Sequence, residues 1–177
     1  MANKPRLDRK TLLVGDGIDD ISSVLERYTL MDLRCNIDRM DNAIDASRAV
    51  KYGNYPLIIL PCRTPPGSEY PYAIEFPEIK ETWERAKSWE ATQEEKYFDI
   101  TLQIIKYARE SNNPNKDALI VISDVYHPQG DSLISNVRIR SLEAGADSYI
   151  YMMEKDARKQ LFDLVSSKLG WERRKSK

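Results

Sequence analysis

The sequence predicts an α/β fold in which helices cover both faces of a doubly wound, parallel, five-stranded sheet. Short apolar runs recur along the chain, and the segments between them carry apolar residues at helical spacing. Two of the runs, residues 57–60 and 118–122, are continuously apolar, as is typical of central parallel strands that are buried on both faces. Strand and helix alternate five times, which favours parallel neighbours joined by right-handed crossovers.

The five predicted strands are short. They cover residues 11–14, 33–37, 57–60, 118–122 and 148–152. The first strand ends at Gly15 and the third ends at Pro61, where the chain turns. The second strand is predicted from its alternation of apolar and polar residues.

Each predicted helix has apolar residues on one face. The helices cover about residues 21–28, 43–50, 98–108, 133–144 and 161–169. Asp19 or Asp20 is suited to cap the first helix, Asp41 the second and Asp156 the last, because a short side-chain oxygen accepts from the free amides of a helix N-terminus.

Composition indicates one globular domain over residues 1–177. Hydrophobic residues are 41% and charged residues 31% of the 177 residues, and the formal net charge of -1 argues against a nucleic-acid partner. No apolar run reaches membrane-spanning length. Cys35 and Cys62 make no disulfide framework and no metal-ligand spacing, so we expect a cytoplasmic protein without a metal or cofactor. Residues 171–177 are predicted to be a short, basic, solvated tail.

A long segment, residues 62–94, separates the third strand from the third helix. Its first half contains four prolines and three aromatic residues. Its second half is rich in helix formers and places Ile79, Trp83 and Ala86 on a narrow apolar stripe, with Trp89 at its edge. The segment is either a lid or docking surface, or a helix that packs on the body of the domain.

Four fragments in order resemble the receiver domain of response regulators, the CheY-like, flavodoxin-like module of two-component signal transduction. They are "LLVGDG", "YPLIILPCRTPPG", "ALIVISD" and "EAGADSYI", and the resemblance covers about residues 10–170. It implies that two acidic residues after the first strand hold Mg²⁺ and that an aspartate ending the third strand accepts a phosphoryl group. It also implies a Thr or Ser ending the fourth strand and a Lys ending the fifth, which help to bind the charged oxygens.

Carried over residue by residue, this site is mostly absent from the sequence. Asp16 matches one acidic position, and Gly17 stands at the second. Pro61 stands where the phosphoacceptor is expected, Ser123 matches the hydroxyl, and Met152 replaces the lysine. The resemblance is therefore to a divergent pseudo-receiver that keeps the scaffold without phosphotransfer.

The first functional hypothesis is an atypical, non-enzymatic receiver-like signalling module that acts by phosphorylation-independent protein–protein interaction. Its partner would be another signalling protein or a second copy of the chain. In receivers the face beside the fourth helix is the usual partner site, which points to Tyr149 and Tyr151. Trp83 and Trp89 in the insertion form the second candidate face.

Two alternatives stay open at this point. The chain is a small-ligand sensor or enzyme if Asp16, Ser123 and Asp124 line a cavity at the carboxyl end of the sheet. The alignment could also have slipped past a true phosphoacceptor, although the nearest loop carboxylate, Glu69, lies too far along to end the strand. His127 follows the fourth strand in a turn-like sequence, and nothing places it as a base for Ser123.

Overall fold

The computed structural model describes residues 8–15, 29–64, 81, 93–124 and 131–172, without the side chains of 93–96 and 131–135. Within these ranges the strands are β1 (Lys10–Val14), β2 (Asn36–Met40), β3 (Leu57–Pro61), β4 (Leu119–Asp124) and β5 (Ser148–Tyr151). The helices are α1 (29–32), α2 (Ala43–Tyr52), α3 (Gln93–Ala108), α4 (Asp131–Glu143) and α5 (Ala157–Leu169). None of these described helices is long and apolar enough to cross a membrane.

The five strands form one parallel sheet in the order β2-β1-β3-β4-β5, which confirms the predicted fold class. β3 lies at the centre and is fully buried except at its last residue. β4 beside it is buried along its whole length. Continuous apolar runs produce these two strands because both faces of the sheet are covered by helices.

Two apolar clusters lie on the two faces of the sheet. One joins the sheet to α2 and α3, and it includes Leu12, Ile58 and Ile105. The other joins it to α1 and α5, and it includes Ile59 and Leu161. Ile58 belongs to one cluster and Ile59 to the other, because successive side chains of a strand point to opposite faces of the sheet.

The prediction of the second strand over residues 33–37 is wrong by about three residues. Leu33 is fully buried in the turn that ends α1, and the strand begins at Asn36. Arg34 takes a left-handed conformation (φ 57°) and the amide of Cys35 donates to the carbonyl of Leu30 (2.9 Å). This is a helix-ending motif that usually carries glycine, so the sequence held no signal for it.

Three further sequence predictions, two at helix starts and one at the C-terminal tail, need correction. Asn42, not Asp41, caps α2, and its side chain accepts from the amide of Asp45 (3.0 Å). Asp156 does occupy the N-cap of α5, but its side chain makes no capping hydrogen bond. Trp171 is not solvated: it is 7% exposed and packs in the second cluster, with the guanidinium of Arg9 5.7 Å from its ring. The packed chain therefore extends at least to Trp171.

Candidate functional site

The carboxyl ends of β3, β4 and β5 lie side by side and form what we call the rim: Pro61, Cys62, Ser123, Asp124, Tyr151 and Met152. Pro61 is paired in register with Ser123, and Asp124 with Tyr151. In parallel α/β sheets this edge is where ligands and chemistry are usually found. The structure thus brings three residues of the predicted receiver site, Pro61, Ser123 and Met152, to one edge.

Pro61 is the last residue of β3, where the sequence predicted that the strand would end. The strand pairing continues one residue further, because the amide of Cys62 donates to the carbonyl of Ser123 (3.0 Å). A proline has no amide proton to donate. Because Pro61 is the last residue of β3, it interrupts none of the backbone hydrogen bonds that the preceding residues of the strand make.

A pair of buried threonine hydroxyls fixes the backbone after Pro61. Thr64 and Thr101 are both fully buried, and their hydroxyl oxygens lie 2.8 Å apart. The amide of Thr64 donates to Thr101 Oγ1 (3.0 Å), which also lies 3.3 Å from the carbonyl oxygen of Pro61. These contacts attach the start of the connection to α3. The helical spacing of residues 98–108 gave no signal for these contacts.

A buried carboxylate and a phenol are bonded at the edge of the rim. Asp124 is 4% exposed and accepts a hydrogen bond from Tyr149 Oη (2.5 Å). Burial raises the pKa of Tyr149, and the hydrogen bond to Asp124 and the charge of Asp124 raise it further. The phenol therefore keeps its proton and donates a hydrogen bond to the carboxylate. No sequence signal pointed to this pair, because it depends on the pairing of β4 with β5, in which Tyr149 lies opposite Ile122.

Met152 occupies the position directly after β5 and turns into the protein. It is 2% exposed and belongs to the cluster on the α5 side of the sheet, with Ala157 and Leu161. Its amide donates to the carbonyl of Asp124 (2.7 Å), which holds the turn after β5 against the end of β4. The side chain brings neither charge nor hydrogen-bonding capacity to the rim.

The two tyrosines of the predicted interaction face lie on the edge strand β5. Because alternate residues of a strand point to one side, Tyr149 and Tyr151 share a face of β5. Both are half-buried, but Tyr149 packs against the first cluster and its hydroxyl is bonded to Asp124. Tyr151 lies at the end of the edge strand.

The remaining predicted site residues lie outside the described ranges. These are Asp16, Gly17, Trp83 and Trp89, together with His127. Gly15 is described and follows β1 directly, and its amide donates to the carbonyl of Met40 (2.7 Å). Within the part of the chain that the structure describes, no group of three or more His, Cys, Asp or Glu side chains could hold a metal ion.

The chain is similar in structure to receiver domains over 90–92% of its length. One is the receiver domain of a sensor histidine kinase from Pseudomonas aeruginosa, solved with a magnesium ion in its active-site cleft; it has 18% identity, a TM-score of 0.57 and coverage of 92% of this chain and 98% of that chain. Another is a response regulator from Hahella chejuensis (19%, TM-score 0.55, 90% and 95%). A third is a two-component response regulator from Clostridium difficile (16%, TM-score 0.55, 91% and 95%).

No protein-family model and no curated protein matches the chain. At identities below one fifth, these structural matches establish the architecture and do not by themselves assign an activity. The five-stranded, all-parallel sheet agrees with them. The chain therefore has the flavodoxin-like fold of CheY-like receiver domains.

Proposed function

We propose that this chain is a receiver-like signalling module that acts through protein–protein contact and accepts no phosphoryl group. The observation that carries the proposal is the chemistry of the rim. Pro61 ends the central strand, and an uncharged methionine, Met152, follows β5. The module is not an enzyme in this proposal, and its output is the surface that it presents.

The first support is the side chain at the end of β3. Formation of an acyl phosphate needs a carboxylate that attacks phosphorus, and a proline ring offers no nucleophile. The carboxylate of Asp124 is the described acid nearest in sequence to the strand ends. It is buried and its Oδ2 atom accepts a hydrogen bond from Tyr149, which makes it a poor phosphoacceptor.

The second support is the lack of a cation at the end of β5. A transferred phosphoryl group carries negative charge that must be compensated in its site. Met152 contributes its side chain to the apolar core instead. The proline at the end of β3 and the methionine after β5 are consistent with each other, since a site without a phosphoacceptor has no need for a cation.

The third support is a conformation that is fixed without phosphate. The Tyr149–Asp124 hydrogen bond ties β5 to the end of β4. α4 is tied to α3 independently, because Arg140 pairs with Asp99 (2.6 Å) and its guanidinium lies 4.9 Å from the ring centre of Phe98. Both contacts hold the β5 and α4 side of the domain in one arrangement, which is what a constitutive docking surface requires.

The alternative of a ligand sensor or enzyme at the rim has little support. Ser123 and Asp124 are 6% and 4% exposed, and the carboxylate of Asp124 already has a donor in Tyr149. A site for a polar ligand would need these groups to be accessible from the solvent. The proposed function therefore places recognition on the surface and not in the rim.

The proposal is tested by amide NMR spectra of the protein alone, with Mg²⁺, and with Mg²⁺ and a phosphate mimic such as beryllofluoride. We expect the amide resonances of residues 62, 123–124 and 149–152 to stay unchanged. An Asp124→Asn variant serves as the control that shows the spectrum responds to a change at the rim. A saturable shift in the wild-type protein that requires both Mg²⁺ and the mimic would overturn the proposal.

A further inference from the structure

A cleft lies between the end of α1 and the start of α5, outside the rim. Its volume is about 270 Å³, close to the lower limit of about 300 Å³ for small-molecule pockets. The cleft is lined from both helices and from the turn before α5 by Thr29, Asp32, Lys155, Arg158, Lys159 and Phe162. None of these residues belongs to the rim, so the cleft is a second concave surface of the domain.

The lining of the cleft is positively charged. Three cationic side chains and one carboxylate line it, so its net charge is about +2. The acids of the same segment are held elsewhere, because the side-chain amide of Gln160 donates to Glu154 (3.0 Å) and to Asp156 (3.1 Å). Neighbours of opposite charge in the sequence are thus separated, and the cations are the ones that line the cleft.

The three cations differ in how much of their donor capacity is already used. Arg158 Nη2 donates to Asp32 (2.7 Å), while its Nη1 and Nε atoms make no hydrogen bond with a residue that the structure describes. Lys155 makes no ion pair within the described part of the chain. Lys159 is paired with Asp163 (2.6 Å), although both side chains are largely exposed to water. Asp32 therefore orients a guanidinium that still has donors to offer.

Phe162 gives the cleft an apolar wall. It lies one turn after Arg158 on the same face of α5, and it is half-buried because it packs against the second cluster. On the α1 side Thr29 is only 1% exposed. An aromatic ring that is held by core packing offers a flat apolar surface at a low cost in conformational entropy. The cleft therefore combines cationic donors with a fixed apolar surface.

We propose that this cleft binds a small phosphate monoester that carries an aromatic group. A phosphate monoester has close to two negative charges at pH 7, which match the net charge of the lining. The free guanidinium nitrogens of Arg158 would bind two phosphate oxygens, and Lys155 and Lys159 would act as point charges. The aromatic group would lie against Phe162. The site goes beyond the proposed function, because it would give a domain without phosphotransfer a way to respond to a ligand.

An amide NMR titration of the full chain with phenyl phosphate, without Mg²⁺, tests the site. We expect saturable shifts at residues 155, 158, 159 and 162, with a dissociation constant on the order of 100 μM. Inorganic phosphate alone and phenol alone should each bind at least tenfold more weakly, because each has only one of the two recognised groups. The absence of saturable shifts up to about 10 mM phenyl phosphate would overturn the proposal.

Two further outcomes of the titration would also overturn the proposal. Inorganic phosphate that binds as tightly as phenyl phosphate would contradict the aromatic part of the ligand. A phosphotyrosine peptide presents the same chemical group, so a peptide that binds where phenyl phosphate does not would contradict a small-molecule ligand. Since the titration needs neither Mg²⁺ nor a phosphoryl donor, its result is independent of the phosphorylation test.

Charge variants separate ligand binding from the structural role of the Arg158–Asp32 ion pair. Arg158→Gln should weaken phenyl phosphate binding at least tenfold, whereas Lys168→Gln, with the same charge change at the exposed far end of α5, should leave it unchanged. Asp32→Asn breaks the same ion pair but removes an anion and keeps an oxygen that accepts from Arg158. It should bind at least as tightly as the wild type.

Thermal unfolding of the three variants checks that each one stays folded. Higher salt should weaken binding to the wild-type protein, since the cations that line the cleft are exposed. A purely structural ion pair would make Arg158→Gln and Asp32→Asn behave alike. Equal weakening of phenyl phosphate binding in these two variants would therefore refute the site.

Discussion

Removing one hydroxyl group at Tyr149 should cost a measurable part of the stability of the fold. The Tyr149→Phe variant keeps the ring that packs against the first cluster and removes only the donor to Asp124. Hydrogen bonds to charged groups contribute about 1.5–3 kcal/mol, and Asp124 is only 4% exposed, so little water can replace the lost donor. We expect the free energy of unfolding to fall by about 2 kcal/mol.

A second phenol provides the matched control. Tyr55 Oη donates to Asp38 (2.8 Å), but the side chain of Asp38 is 34% exposed and also pairs with Lys10 (3.1 Å). Tyr55→Phe should therefore cost less than about 1 kcal/mol, since solvent and the lysine still serve the carboxylate. Urea denaturation followed by circular dichroism measures both losses. Equal losses of stability for the two variants, or no loss for Tyr149→Phe, would refute the view that a hydrogen bond to a buried carboxylate stabilises the rim.

The pair Tyr149 and Asp124 also predicts how the stability of the fold depends on pH. Burial and Asp124 raise the pKa of Tyr149, so the native state keeps the phenol proton where an unfolded tyrosine ionises, at about pH 10. The stability from this difference is complete below about pH 10 and is lost as the pH rises further. Tyr149→Phe should make the alkaline loss of stability shallower. An unchanged slope would contradict the raised pKa.

Four further variants test the structure away from the rim. Arg34→Gly should stabilise the protein by about 1 kcal/mol in urea denaturation because Arg34 has a left-handed backbone (φ 57°), whereas Gly170→Ala at φ 65° should destabilise it by a similar amount. Asn115→Ala should cost about 3 kcal/mol by thermal or urea unfolding, because the buried amide binds two carbonyls near the end of α2 and one amide before β3. Burial raises the pKa of Cys35 to about 11, so the stability it confers should fall from about pH 9 upward, and Cys35→Ala should reduce that loss in denaturation curves at pH 8 to 11.

The strands β3 and β4 could be predicted from the sequence because their signals are strong and local. Residues 57–60 and 118–122 are continuously apolar, and they became the two central strands, where burial on both faces demands such runs. The face of α3 was also predictable from spacing: Phe98, Leu102 and Ile105 are buried as their periodicity required.

The edge strand β2 and the contacts at the rim were harder to predict, for different reasons. β2 is half-buried throughout, so its pattern did not define its register, and the turn before it is made by an arginine in a conformation that glycine usually takes. The identities of Pro61, Ser123 and Met152 could be read directly, because each lies at or beside the end of a predicted strand. The bond between Asp124 and Tyr149 depends on which strands are neighbours, and that is decided only by the tertiary fold.

The measurement that tests the central claim most directly is the intact mass of the protein after incubation with acetyl phosphate and Mg²⁺. A receiver domain with an aspartate at the end of its third strand is treated in parallel as a positive control. Our account predicts that the control gains the mass of one phosphoryl group and that this chain gains none, since Pro61 ends β3. A stoichiometric adduct that depends on Mg²⁺ would contradict the account, and its loss in Asp124→Asn would identify the acceptor.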